Sequence, residues 1–177
     1  MTDLDLLRYP IGRFSPPASS MAGIRIANIQ TLRLLPERLG KAVSGLTDPQ
    51  LDTPYREDGW TARQVVHHIA DSHANAYIRF KLALSEDWPV IKPYDEAAWA
   101  NLPDSRWLPI EGSLELVAAL HGRWVALLDA LTDEDFRRGY VHPVDGRVNL
   151  AKALAIYDWH SRHHTAHILS LRQRQGW

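Results

Sequence analysis

Apolar residues recur at spacings of three and four along four long stretches of the chain, which is the period of an amphipathic helix. In chain order, these stretches cover residues 21–46, 60–84, 114–131 and 150–175. Pro36 lies within the first stretch and is expected to kink or divide it. Thr61, Ser113 and Asn149 stand where the other three begin, and each is a predicted N-cap. The pattern predicts an all-α fold, a four-helix bundle.

The connections between these helices are of two kinds. Four prolines within residues 86–112 forbid one continuous helix, so this segment is predicted to be a long crossover between the second and third helices. Asp145-Gly146 is a hairpin signal and predicts a small β-ribbon before the fourth helix. Residues 1–20 contain three prolines and are expected to form an extended N-terminal arm, which leaves residues 21–177 as a single domain.

Composition excludes several classes of function. The 177 residues carry 20 Lys and Arg against 21 Asp and Glu, so the chain has no excess of positive charge with which to hold nucleic acid. It has no cysteine, which excludes disulfides, thiolate metal sites and a cysteine nucleophile. No apolar run is long enough for a membrane span, and the N-terminus lacks the pattern of a signal peptide. We therefore expect a cytoplasmic protein with neither a nucleic-acid nor a membrane partner.

The unusual feature of the composition is its histidines. Seven of the nine fall in two short windows: His67, His68, His73, His160, His163, His164 and His167. Two imidazoles four residues apart lie on one face of a helix, where both can approach one cation. At 100° per residue, His160 and His164 face the apolar side of the last helix and are the better ligand pair. His163 and His167 face the other way and are interpreted as surface residues or residues that support the ligands.

A catalytic metal site usually has three protein ligands and one open position. The third ligand is expected from the window 67–73 on the second helix. Angular counting leaves His67, His68 and His73 open at this point, because His73 lies on the apolar stripe and the other two flank it. Position 161 is Ser, so the His-Glu-x-x-His site of thermolysin-type proteases is excluded.

Four segments carry a family resemblance: GWTARQVVHHIADSHANAYIRFKL, KPYDEAAW, LHGRW and YDWHSRHHTAHI. They resemble the DinB/YfiT superfamily, most closely its YfiT-type metal-dependent hydrolases, and the resemblance spans nearly the whole chain. It implies an up-down-down-up four-helix bundle, often a homodimer. It also implies one divalent metal ion per chain, zinc or nickel, with His68, His160 and His164 as ligands.

The resemblance implies a reaction as well as a site. The first hypothesis is a hydrolase that activates water for attack on a small-molecule substrate. The alternative is a bacillithiol-type S-transferase, which conjugates a low-molecular-weight thiol to an electrophile. Both use the metal as a Lewis acid. A third hypothesis, from a different class, is a metal-binding or stress-associated helical module without turnover.

Two carboxylates near the predicted ligands are candidates for a supporting role. Asp71 and Asp158 could each accept the second ring N–H of a metal-bound histidine and so fix its tautomer. The competing interpretation is that each is a solvated charge on its helix.

Three further residues are candidates for binding substrate. Asn75 and Arg79 share a face with His68 and could orient an anionic substrate, although Arg79 could equally pair with an acidic residue on a neighbouring helix. Tyr94 lies in the long crossover, where it is expected to wall a pocket or a dimer contact.

Overall fold

The computed structural model describes residues 3–16 and 22–177. The helices are α1 Asp3–Arg8, α2 Ala22–Val43, α3 Asp48–Leu51, α4 Ala62–Ser85, α5 Glu96–Ala100, α6 Pro103–Trp107, α7 Glu111–Asp129 and α8 Leu150–Gln175. A 3₁₀ turn at Asp135–Arg137 and two strands, β1 Gly139–His142 and β2 Gly146–Asn149, lie between α7 and α8. No helix among the described residues is long and apolar enough to cross a membrane.

The four long helices form a bundle in which α2 and α4 each pack against both α7 and α8. Arg172, near the end of α8, donates to the carbonyl of Ala42, near the end of α2, so these two helices are parallel. An ion pair between Arg25 and Asp133 brings the start of α2 to the end of α7, so these two are antiparallel.

The long crossover returns the chain to the end of the bundle where α4 begins. His67 in the first turns of α4 hydrogen-bonds Ser113 in the first turn of α7, at 2.8 Å, so α4 and α7 are parallel. The order is therefore up-down-down-up, and the predicted four-helix bundle is confirmed. The crossover contains the two short helices α5 and α6.

Two of the three predicted N-caps are confirmed. The Thr61 hydroxyl accepts from the backbone N–H of Gln64, and the Asn149 side chain accepts from the N–H of Lys152. The prediction for Ser113 is wrong, because α7 begins two residues earlier, at Glu111. The Ser113 hydroxyl is instead used in the tertiary hydrogen bond to His67 described above.

Pro36 does not divide α2, which is continuous from Ala22 to Val43. A proline has no N–H, so the carbonyl of Leu32, four residues earlier, lacks its helical partner. Leu32 is fully buried, and an unpaired carbonyl there would be costly. His121 of α7 supplies the missing donor, with Nδ1 2.7 Å from the Leu32 oxygen.

The predicted β-ribbon is confirmed, with β1 and β2 antiparallel. Gly146 turns the chain between them with a φ of 71°, a conformation that favours glycine. The N-terminal arm is not extended throughout, since Asp3–Arg8 form α1, and residues 17–20 lie outside the described residues. The division into an arm and a single domain stays a prediction.

Two apolar clusters fill the bundle, one toward each end. The first gathers Phe80 of α4, Trp124 of α7 and Leu154 of α8, and the second gathers Val66 of α4 and Ile168 of α8. The four histidines of α8 lie between the residues of the two clusters, as does His73 of α4, whereas His67 and His68 stand beside residues of the second cluster. The bundle thus holds a layer of imidazoles where its two cores meet.

Candidate metal centre

Three imidazoles from two helices converge in this layer. His68 comes from α4, and His160 and His164 come from successive turns of α8. One ring nitrogen of each lies within 4.8 Å of the other two. The closest pair is Nε2 of His68 and Nε2 of His160, at 3.1 Å. His68 and His164 are buried and His160 is half-buried, so the group lies just beneath the surface.

The donor set fits a divalent cation. Two nitrogens bound to one tetrahedral zinc, each at about 2.0–2.1 Å, lie about 3.4 Å apart, close to the His68–His160 separation. Burial lowers the pKa of His68 to about 4, and it lowers the pKa values of His160 and His164 well below the ordinary value. The three imidazoles are therefore neutral at pH 7, which is the form that binds a metal.

The other two histidines of the first window have different roles. His67 bonds Ser113 and the Leu108 carbonyl, which turns it away from the group. His73 is fully buried and bridges two rings, with Nδ1 2.9 Å from Nε2 of His121 and Nε2 3.1 Å from Nδ1 of His160. Of the alternatives left open by angular counting, His68 is the one that the structure brings to His160 and His164. Metal ligation itself stays a prediction.

His163 and His167 are not surface residues, and that part of their interpretation is wrong. They are only 6% and 2% exposed. His163 stacks on Trp159 at 4.2 Å and lies near Tyr9 of the N-terminal segment. Tyr55 stacks on His167 at 4.0 Å. Angular counting on α8 alone cannot show that chain segments outside the bundle cover this face.

His167 does support a predicted ligand. Its Nδ1 lies 3.4 Å from Nδ1 of His164, and its Nε2 lies 3.2 Å from the Arg8 carbonyl. His73 stands in the same relation to His160. Each of the two predicted ligands on α8 therefore has a buried histidine at its Nδ1 side.

A cavity of about 380 Å³ opens onto the three histidines. Trp60 forms one wall, with its ring 4.6 Å from that of His68. Besides Trp60 and the three histidines, it is lined by Arg8, Tyr9, Tyr55, Arg56, Glu96, Trp159, His163 and His167. The cavity thus combines aromatic walls, two arginines and one carboxylate beside the imidazole group.

Neither candidate carboxylate hydrogen-bonds a predicted ligand among the described residues. Asp158 accepts from Arg162, one turn along the same helix, at 2.6 Å. Asp71 is half-buried, and burial, aided by the nearby charge of Asp104, raises the pKa of its carboxyl to about 6. The place beside the ligands that was predicted for a carboxylate is occupied by histidine.

The three candidate substrate-binding residues lie outside the lining of this cavity. Asn75 donates to the carbonyl of Asp71 on its own helix, at 2.9 Å. Burial raises the pKa of the Glu96 carboxyl, and the nearby positive charge of Arg79 offsets part of that rise. Tyr94 packs on Trp99, with ring centroids 4.5 Å apart. Their role in binding substrate stays a prediction.

Several residues of the site carry no signal in the sequence pattern. Arg8 and Tyr9 lie in the N-terminal segment and Tyr55 and Arg56 in a turn, where no helical periodicity points toward the bundle. His121 differs from these four residues, because it lies in LHGRW, a segment that carries the family resemblance. The resemblance assigns no role to His121.

The chain matches known proteins over almost its full length. The family model described as the DinB superfamily matches residues 31–168. The chain is 53% identical to "Putative metal-dependent hydrolase YfiT" of Bacillus subtilis (strain 168), over 100% of this chain and 99% of that protein. It is also 53% identical to "Putative metal-dependent hydrolase" of Bacillus cereus (strain 03BB102), over 97% of this chain and 98% of that protein.

A solved structure agrees with the fold. YfiT from Bacillus subtilis, described as "a probable metal-dependent hydrolase with an unusual four-helix bundle topology", has a TM-score of 0.94 to this chain at 53% identity. The match covers 97% of this chain and 99% of that chain. The resemblance drawn from the sequence segments is therefore confirmed.

Proposed function

The chain belongs to the DinB superfamily, and on this basis we propose that it is a metal-dependent hydrolase in which His68, His160 and His164 hold one zinc or nickel ion. The observation that carries the proposal is the convergence of three neutral imidazoles at the floor of a cavity. The names of its relatives, quoted above, support a hydrolytic reaction.

A divalent ion held by three imidazoles lowers the pKa of a water molecule in its open position and supplies a nucleophile at neutral pH. The chain provides the surroundings for that chemistry. Trp60 and Tyr55 present aromatic faces that limit the access of bulk water. Glu96 is the carboxylate of the lining, and its loss of hydration raises the pKa, which suits it to accept a proton.

The metal-binding part of the proposal is tested by metal content. Purified protein is stripped with a chelator, reloaded with zinc or nickel, and analysed by elemental mass spectrometry. We expect one ion per chain, and loss of that ion in His68→Ala, His160→Ala and His164→Ala. His67→Ala is the matched control, because it removes a buried histidine of the same helix that lies outside the group.

Two results would contradict this part. If His160→Ala and His164→Ala keep one ion per chain, the ligand assignment is wrong. If the unaltered chain binds no ion under any loading condition, the imidazoles only pack. In that case the hypothesis of a helical module without turnover replaces the hypothesis of an enzyme.

A second candidate, the thiol S-transferase, is favoured by the two arginines of the cavity. Arg8 and Arg56 place positive charge beside the imidazole group, and 380 Å³ has room for a small thiol that carries carboxylates. The metal-loaded chain is incubated with ester substrates in water, or with bacillithiol and an electrophile. If the chain hydrolyses the ester faster than it conjugates bacillithiol to the electrophile, the hydrolase is supported. The opposite order of rates supports the transferase.

The expected homodimer and cytoplasmic location also stay predictions. Sedimentation equilibrium of the purified chain measures the oligomeric state, and a mass of twice the chain is the expected result.

A further inference from the structure

The nitrogens of five histidines, four of them buried and His160 half-buried, are linked into two chains that each end on a backbone carbonyl. The first runs from the Leu32 carbonyl through His121 and His73 to His160, with separations of 2.7, 2.9 and 3.1 Å. The second runs from the Arg8 carbonyl through His167 to His164, with separations of 3.2 and 3.4 Å. Within each chain, two neighbouring rings face each other through one nitrogen of each ring.

We infer that these two histidine relays fix the tautomers of His160 and His164, so that both carry their proton on Nδ1 and present a bare Nε2 to the candidate metal centre. His73, His121 and His167 are in this view positioning residues. The inference rests on the proposed function for its purpose, although the tautomers are a property of the metal-free chain.

The direction of the first relay follows from its anchor. A carbonyl oxygen only accepts, so His121 must carry its proton on Nδ1, and its Nε2 is then the acceptor. His73 must donate to that acceptor from Nδ1, which leaves its own Nε2 to accept. His160 must therefore donate from Nδ1, and its Nε2 is left without a proton.

The anchor exists because of Pro36. A residue with an N–H at position 36 would donate to the Leu32 carbonyl within α2. Proline cannot, and the freed carbonyl accepts from His121 instead. The proline in α2 and the tautomer of His160 in α8 are thus linked through three hydrogen bonds.

The second relay follows the same logic. The Arg8 carbonyl accepts from Nε2 of His167, so Nδ1 of His167 is the acceptor for Nδ1–H of His164. His164 is then also left with a bare Nε2. This places the N-terminal segment, through one backbone carbonyl, in the support of the candidate centre.

These tautomers require each relay ring to be neutral, and the surroundings of the three rings meet that requirement. His73 is fully buried, His121 is 1% exposed and His167 is 2% exposed. Among the described residues, no carboxylate hydrogen-bonds any of the three. Trp124 and Tyr157 pack edge-on against His73, at 5.9 and 5.1 Å, and hold its ring in place. An imidazolium would have no counter-ion there.

The closest contact within the candidate centre agrees with this assignment. Nε2 of His68 and Nε2 of His160 are 3.1 Å apart, a distance that needs one shared proton in the metal-free chain. Since Nε2 of His160 is bare, His68 carries that proton. His68 is thus predicted to have its proton on Nε2, opposite to the two α8 histidines.

The tautomers are measured directly by ¹⁵N NMR of the full chain, labelled at histidine and stripped of metal at pH 7.5. We expect His160 and His164 as the Nδ1–H form and His68 as the Nε2–H form. In His121→Phe, which keeps a ring but loses both hydrogen bonds, the Nδ1–H share of His160 should fall. In His121→Gln, whose side-chain oxygen still accepts from His73, that share should be retained.

Zinc affinity, measured by competition with a chelating dye, is the second readout. His121→Phe should weaken zinc binding about 10- to 100-fold, the usual effect of removing support behind a ligating histidine, and His121→Gln should recover most of it. The relay is overturned if His160 carries its proton on Nε2 in the unaltered chain, or if His121→Phe changes neither the tautomer nor the affinity. If the tautomers are as expected but no metal binds, the relay stands and the proposed function fails.

Discussion

The link between Pro36 and His121 makes a quantitative prediction for stability. The change is His121→Phe, made once in the unaltered chain and once in a Pro36→Ala background. In the unaltered chain, the variant leaves the Leu32 carbonyl buried with no donor, since position 36 has no N–H. In the Pro36→Ala background, the restored backbone N–H donates to that carbonyl, so the variant leaves it paired.

The expected difference in the free energy of unfolding depends on whether one carbonyl group, that of Leu32, has a hydrogen-bond donor. A buried acceptor left unsatisfied costs about 1–3 kcal/mol. The other effects of His121→Phe, including the lost partner of His73, are the same in both backgrounds and cancel in the double-mutant cycle. We therefore expect His121→Phe to lower the free energy of unfolding by about 1–3 kcal/mol more in the unaltered chain than in the Pro36→Ala background.

The assay is urea denaturation of the four metal-free proteins at pH 7.5, followed by circular dichroism at 222 nm. His67→Phe is the matched control, because His67 also bonds a backbone carbonyl, but that of Leu108 and not the one freed by Pro36. Its cost should be the same in both backgrounds. If His121→Phe also costs the same in both, the Leu32 carbonyl does not depend on His121, and the anchor of the first relay is refuted.

Three further predictions concern pH and local packing. The free energy of unfolding of the metal-free protein should fall as the pH is lowered from about 6.5 to about 4. The reason is that histidines of the unfolded chain bind protons near pH 6.5, whereas folded His68, His121 and His167 bind them at about pH 4. Urea titrations that show no loss of stability across this range would contradict the prediction. Asn149→Ala should cost about 1 kcal/mol, since it removes the N-cap of α8, and should leave zinc stoichiometry unchanged in elemental analysis. Gly139→Ala should lower the thermal midpoint, because an added Cβ would lie 2.3 Å from a carbonyl oxygen of the facing strand, and an unchanged midpoint would show that the ribbon shifts freely.

The helices of this protein are predictable because each buries one side, so that apolar residues recur at spacings of three and four along the sequence. The stretches at 60–84 and 150–175 correspond closely to α4 and α8, and Thr61 and Asn149 cap them as predicted. Ser113 fails as a cap for a physical reason. Its hydroxyl has a partner on another helix, and no local pattern records that contact.

The candidate site also contains some residues that the sequence alone could identify and others that it could not. His160 and His164 could be chosen from one helix alone, because both face the apolar side of α8. The choice among His67, His68 and His73 could not, since it depends on how α4 is rotated against α8 and α7. The burial of His163 and His167 was missed because their covering residues come from segments with no helical period.

Pro36 and His121 show why pairs of this kind escape pattern analysis. Taken singly, a proline within a helix predicts a break, and one histidine on an apolar stripe predicts nothing beyond packing. Each removes the difficulty of the other: the proline leaves a buried carbonyl without a donor, and the histidine is a buried donor that needs an acceptor. Because the two lie 85 positions apart on different helices, their complementarity becomes visible only when α2 and α7 are known to be adjacent. A search for such sites should therefore examine the carbonyl four residues before each helical proline, and ask which side chain of a neighbouring helix donates to it.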